Sequence, residues 1–186
     1  EWNGESWSGL GSGLDQWVFS LAVLASGDLV VGGYFGVAGD VPVQNIARWD
    51  GSTWHAIGSG IEVDVSAMTV LSNGDLVAAG DFATAGGIAA NRVARWDGTA
   101  WHAVGVGLDD RVRTVLALPG SEMTAGGDFV SAGGMLSQGV AHWNGREWRA
   151  LGEGFNGGIN AIAKLPDGNV VVGGSFTSIH GQPLNH

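Results

Sequence analysis

Trp96-Asp97-Gly98-Thr99-Ala100-Trp101 sets two aromatic residues on either side of a short turn, and this construction occurs four times. Trp2-Asn3-Gly4, Trp49-Asp50-Gly51, Trp96-Asp97-Gly98 and Trp143-Asn144-Gly145 follow one another at steps of 47 residues. A second Trp stands five positions after each first one: Trp7, Trp54, Trp101 and Trp148. An Asp-Gly or Asn-Gly pair between apolar residues marks a tight hairpin, because its turn needs positive φ angles. The step does not drift, for Leu10-Gly11, Ile57-Gly58, Val104-Gly105 and Leu151-Gly152 keep it, as do Phe35, Phe82, Phe129 and Phe176. A fixed period of this length marks tandem structural units. The chain therefore reads as one domain, 1–186, of four units at about 1–47, 48–94, 95–141 and 142–186.

Working outward from the Trp pair, one unit resolves into four short strands. In the second, the apolar run Val65–Leu71 precedes a Ser72-Asn73-Gly74-Asp75 turn and a second run, Leu76–Gly80. A Gly/Ala-rich loop over 81–91 leads to Arg92–Trp96, and Asp97-Gly98 turns that strand onto Ala100–Val104. Four antiparallel strands in 40–50 residues make the blade of a β-propeller, so the fold class is all-β with four blade-equivalents. One position of the innermost strand is small throughout (Ser20, Ala67, Thr114, Ala161), as a strand crowded toward an axis requires. The eight Trp of the two columns are read as packing residues between blades, where a wedge-shaped unit widens: Trp2, Trp7, Trp49, Trp54, Trp96, Trp101, Trp143 and Trp148.

Composition agrees. Gly 34 of 186 residues is more than twice the ordinary share and disfavours long helices. Eight Lys+Arg against 18 Asp+Glu leave a net charge of −10, the wrong sign for neutralising nucleic-acid phosphates or an anionic membrane surface. No apolar run reaches the ~18 residues of a membrane-spanning helix. Zero cysteines exclude disulfides, thiolate catalysis and Cys-based metal sites.

The double glycine closing the second strand (Gly32-Gly33, Gly126-Gly127, Gly173-Gly174), followed by a Trp–turn–Trp segment, resembles the kelch-type propeller repeat. It is more similar still to bacterial kelch-like and delta-60 repeat propellers, with Val-Val-Gly-Gly-x-Phe and Trp-Asp-Gly-x-x-Trp. The resemblance covers all four units and departs at Ala79-Gly80 in the second. It implies a binding scaffold more than a chemistry.

Motifs for catalysis are weak. Asp50-Gly51-Ser52-Thr53-Trp54 differs in spacing from the sialidase Asp-box and reads as a hairpin turn. With no Cys and only Tyr34, the copper site of galactose oxidase has no counterpart. His55 and His102 share a position held by Ser8 and Arg149 in the other units, and His142, His180 and His186 stand singly, so no metal constellation forms. What remains is a loop face. Asp15, Glu62, Asp109 and Asn156 occupy one register, and Asp81 and Asp128 follow the double-glycine strand in two units. These six are the candidate ligand-binding residues, against the plainer reading that they cap loop amides. No motif demands a cofactor. A calcium ion is the one that this face could take.

The expectation is thus a non-catalytic β-propeller scaffold or binding module for a protein or glycan ligand. The alternative is a lectin-like propeller binding carbohydrate or a cation through its acidic loops. Acidic pI, one lysine and many Trp resemble secreted bacterial repeat proteins, which favours an extracellular or cell-surface setting. Strands three and four of a blade precede the first full period, and strands one and two follow the last. The expected partner is therefore a second copy, two chains exchanging half-blades into an eight-bladed ring, the alternatives being a self-closed four-bladed ring or a piece of a longer propeller.

Overall fold

The computed structural model describes residues 1–152 and 154–184, so Asn185 and His186 lie outside the described residues, as does Glu153. Every regular element among them is a strand. The first unit contains β1 (Trp17–Val23), β2 (Leu29–Tyr34), β3 (Val37–Ala38), β4 (Val41–Pro42), β5 (Ile46–Trp49) and β6 (Trp54–Ala56). The second repeats it as β7 (Val65–Val70), β8 (Leu76–Gly80), β9 (Thr84–Ala85), β10 (Ile88–Ala89), β11 (Val93–Trp96) and β12 (Trp101–Ala103). The third follows with β13 (Val112–Leu118), β14 (Glu122–Gly127), β15 (Ser131–Ala132), β16 (Met135–Leu136), β17 (Val140–Trp143) and β18 (Trp148–Ala150). The fourth comprises β19 (Ile159–Lys164), β20 (Val170–Gly174), β21 (Ser178–Ile179) and β22 (Gln182–Pro183).

Three four-stranded antiparallel sheets result, ordered β1-β2-β5-β6, β7-β8-β11-β12 and β13-β14-β17-β18, with the two-stranded β19-β20 after them. The Trp pairs face each other across the outer hairpins, Trp49 opposite Trp54, Trp96 opposite Trp101 and Trp143 opposite Trp148. In each turn between them one side-chain oxygen (Asn3, Asp50, Asp97 or Asn144 Oδ1) accepts both the second and the third amide after it. That bonding stabilises the predicted turn and explains why only Asp or Asn stands there. The loop expected over 81–91 is more ordered than its composition indicated. It folds into the β9–β10 hairpin, and a bridge from Ile61 to Ala85 fastens it to the link before β7.

The sheets stack side by side. β7 packs between β1 and β13, and β13 between β7 and β19; no comparable packing joins β19 to β1 among the described residues. Between the first two sheets, Val30 and Ile46 meet Val65, Met68 and Ala78, and between the next two, Val77, Ala79 and Val93 meet Val112, Met123 and Ala125. Each fully buried Val or Ile there contributes roughly 1.5–3 kcal/mol relative to exposure. Trp54, Trp101 and Trp148 are buried and Trp49, Trp96 and Trp143 half-buried. Trp2 and Trp7 depart from the packing role expected of all eight: they are 51% and 79% exposed, because among the described residues their hairpin is joined to no inner strands or loop of a sheet of its own.

Candidate functional site

Every innermost strand carries one β-bulge at the same place. The register slips between Val18 and Ser20, Val65 and Ala67, Val112 and Thr114, and Ile159 and Ala161. The skipped residues are Phe19, Ser66, Arg113 and Asn160, spaced 47 apart. A bulge leaves its extra residue out of the ladder and re-aims its side chain. Here all four converge, with Arg111, on one cavity of about 390 Å³. The positions on either side of the bulge are repetitive (Val18, Val65, Val112, Ile159; Ser20, Ala67, Thr114, Ala161), whereas the bulge itself holds four different side chains.

Two neighbouring positions vary in step. Where the first unit has Trp17 and Tyr34, the second has Asp64 and Asp81, the third Arg111 and Asp128, and the fourth Gly158 and Ser175. Trp17 and Tyr34 oppose each other across β1 and β2, with ring centroids 6.2 Å apart and both rings exposed. Arg113 Nε donates to both oxygens of Asp128, at 3.0 and 2.9 Å, and that carboxylate holds the guanidinium pKa above its ordinary value. Arg111 reaches across to the second sheet, donating to Asp64 Oδ2 at 2.9 Å and to Ser66 Oγ at 3.1 Å. The cavity is thus lined by one aromatic ring, Phe19, and by cations already oriented by carboxylates.

The acidic loop residues predicted from the sequence do something else. Asp15 Oδ1 accepts the amides of Gly36 and Val37, and Asp109 Oδ1 those of Val130 and Ser131. Asn156 Oδ1 accepts Thr177 and Ser178, while Glu62 takes the Ala83 amide and the Thr84 hydroxyl, which lowers its pKa. Each fastens the loop of its own unit, 21–22 residues on, and the four are not brought together. Of the remaining two, Asp81 lies 3.5 Å from Arg92, and Asp128 alone reaches the cavity region through Arg113. No group of three or more His, Asp or Glu is placed to hold a metal ion among the described residues. His55 and His102 each contact the Asp five residues before them, at 2.6 Å, within the outer hairpin.

Phe19, Ser66, Arg111, Arg113 and Asn160 carry no residue type common to the units and so do not stand out as Asp15, Glu62 and Asp109 do. Their signal is the opposite one: a register position that differs in every copy.

A family model described as "Domain of unknown function (DUF5122) beta-propeller" matches residues 165–186. The match spans the β19–β20 turn, β20 and the β21–β22 hairpin, and with the repeated four-stranded sheets it fits a β-propeller repeat. No curated protein matches the chain.

Proposed function

We propose that this chain is a non-catalytic binding module built of propeller blades of the kelch-like or delta-60 kind, working outside the cell or at its surface. Its ligand is held where the innermost strands converge. The observation that carries this reading is the set of four bulged residues, Phe19, Ser66, Arg113 and Asn160, each different and all lining one cavity. Packing positions repeat because every blade solves one packing problem, and positions freed from packing diverge when they meet a ligand without that symmetry. Carboxylates hold Arg111 and Arg113 in place, an arrangement suited to orienting a bound molecule.

An aromatic ring among polar groups points to a glycan. Phe19 offers an apolar ring face to a sugar, while Asn160, Ser66 and the guanidinium groups offer hydrogen bonds to hydroxyls. The test is an array of neutral and acidic glycans, probed with the parent chain and with Phe19→Ala, with and without calcium. Signal on a defined glycan class that is lost in Phe19→Ala and indifferent to calcium supports the cavity. Signal that requires calcium and survives Phe19→Ala moves the site to the acidic loops.

A further inference from the structure

We infer that the ligand of this cavity is an uncharged glycan, its hydroxyls bonded by Arg111, Arg113, Ser66 and Asn160, while Asp64 and Asp128 withhold the arginine charge from acidic sugars. The inference rests on the cavity being a glycan site and goes further by naming the class of sugar and the residues that select it.

Charge decides first. Two guanidinium groups in one cavity are the usual means of holding an anion, but here each already carries its own carboxylate. Arg113 lies side-on to Asp128, with Nε at 3.0 and 2.9 Å from the two oxygens and Nη2 at 2.7 Å from Oδ2. Arg111 Nη2 donates to Asp64 Oδ2 at 2.9 Å. Ser66 Oγ closes that group, accepting from Arg111 at 3.1 Å and donating to Asp64 at 2.9 Å. Asp110 acts on the site as well, since after Asp128 it too raises the Arg113 pKa. The two cations thus stand among the carboxylates of Asp64, Asp110 and Asp128, in a chain whose net charge is −10. An acidic sugar finds no uncompensated positive charge here and is repelled by fixed negative ones. A neutral sugar finds N–H donors already held in place.

The hydrogen-bonding groups agree with the charge. A carboxylate ligand only accepts, whereas a hydroxyl both donates and accepts. Asp128 occupies the Nε edge of Arg113 and leaves its Nη1 end to a ligand. Acceptors for the hydroxyl protons lie beside these donors, in the Asn160 amide and in the remaining lone pairs of Asp64 and Asp128. At about 390 Å³ the cavity falls in the range of small-ligand pockets, roughly 300–1,000 Å³, so what it takes is the end of a glycan. The seat of Asp128 is built into the next unit. Position 158 matches Trp17, Asp64 and Arg111, all large, yet holds glycine. The Gly158 backbone is not left-handed, so what glycine supplies there is room. A Cβ on it would run into Asp128 Oδ1. The fourth unit gives up a side chain at the position where the carboxylate that compensates Arg113 must lie.

Paired probes on a glycan array test the inference. Oligosaccharides ending in glucose, galactose or mannose are each set beside a counterpart ending in the corresponding uronic acid. Far-UV circular dichroism and thermal melting check that every variant is folded. The parent chain is expected to bind at least one neutral probe about tenfold or more above its acidic counterpart, and to lose that signal in Phe19→Ala. Asp128→Asn leaves Arg113 uncompensated and should narrow the ratio about tenfold or reverse it. Asp64→Asn should do the same through Arg111, and it serves as the second variant if the first does not fold. Gly158→Ala keeps every charge but displaces the Asp128 carboxylate, and it should narrow the ratio as well. A parent that prefers the acidic member of a pair, with that signal lost in Phe19→Ala, overturns the inference and leaves the glycan site standing. A ratio unmoved in the folded aspartate variants does the same. A parent that binds no probe, or whose signal survives Phe19→Ala, overturns the glycan site and the inference with it.

Discussion

Trp101 Nε1 donates to the carbonyl of Ile57, 3.3 Å away and 44 residues back in the chain. Trp54 makes the same bond to Leu10 at 3.1 Å and Trp148 to Val104 at 2.9 Å. Each bond ties the outer strand of one sheet to the link that leads into its own innermost strand, so a buried indole fastens the two edges of a unit to each other. Trp101→Ala removes both the indole's buried area and this bond. It should lower stability by about 3–5 kcal/mol, as losses of core aromatics do. The neighbouring His102→Ala, at a half-exposed position of the same strand, loses only its contact with Asp97 and should cost about 1 kcal/mol or less. Thermal melts of the two variants side by side give the comparison.

Thr124 offers a substitution in the stabilising direction. It is fully buried in β14, and its Oγ1 has no hydrogen-bond partner. The equivalent residues are Val30, Val77 and Val171. A buried hydroxyl without a partner costs about 1–3 kcal/mol. Thr124→Val keeps the shape and removes the orphaned group, so the melting midpoint should rise. A fall in the midpoint would mean that the hydroxyl is bonded.

Acid should act on the outer hairpins. Asp50 and Asp97 both have pKa values well below the ordinary 3.8. The Thr53 amide is the largest cause for Asp50, and the Thr99 hydroxyl for Asp97, with His55 and His102 adding to the effect. A carboxylate whose folded pKa is depressed stabilises the fold fully above its unfolded pKa, near 4, and loses that contribution as pH falls through the folded value. Asn3 and Asn144 hold the same turns without a charge. The double variant Asp50→Asn, Asp97→Asn should therefore keep its turns, and its melting temperature should fall less steeply than the parent's between about pH 5 and pH 2. Equal slopes would sink the assignment.

The sequence made the four-stranded unit legible because hairpin chemistry is local. Asp97-Gly98 can be little other than a turn, and Trp96 and Trp101 on either side of it fall opposite each other once the turn is formed. Burial followed from the same register, except at Trp2 and Trp7, whose surroundings depend on which sheet stands beside them and not on their own spacing. What stands out in the sequence are the loop clamps. Asp15 and Asp109 attract notice as charges in register, yet register is what a loop clamp needs, since every unit has the same loop to hold. Phe19 and Arg113 share a register position in the repeat, but their aim comes from a bulge, a departure from strict alternation that the repeat spacing does not record. Their convergence became visible once four strands were set around one cavity.

The loop clamps themselves make the last prediction. Asn156 does with a neutral amide what Asp15 and Asp109 do with a carboxylate, so the position requires a hydrogen-bond acceptor and not a charge. Asp109→Asn should leave the loop as it is. Asp109→Ala removes the acceptor of the Val130 and Ser131 amides, each bond being worth about 0.5–1.5 kcal/mol net, or more with a charged partner. Hydrogen exchange at those two amides should then quicken by about fivefold to thirtyfold, the factor that about 1–2 kcal/mol brings. Exchange in Asp15's loop, at Gly36 and Val37, should not change. Because the four residues fasten separate loops, millimolar calcium should leave the melting temperature of the parent chain where it is. A rise on adding calcium, abolished in Asp109→Asn, would show instead that the carboxylates serve an ion, since mass action stabilises a fold only through a site that binds.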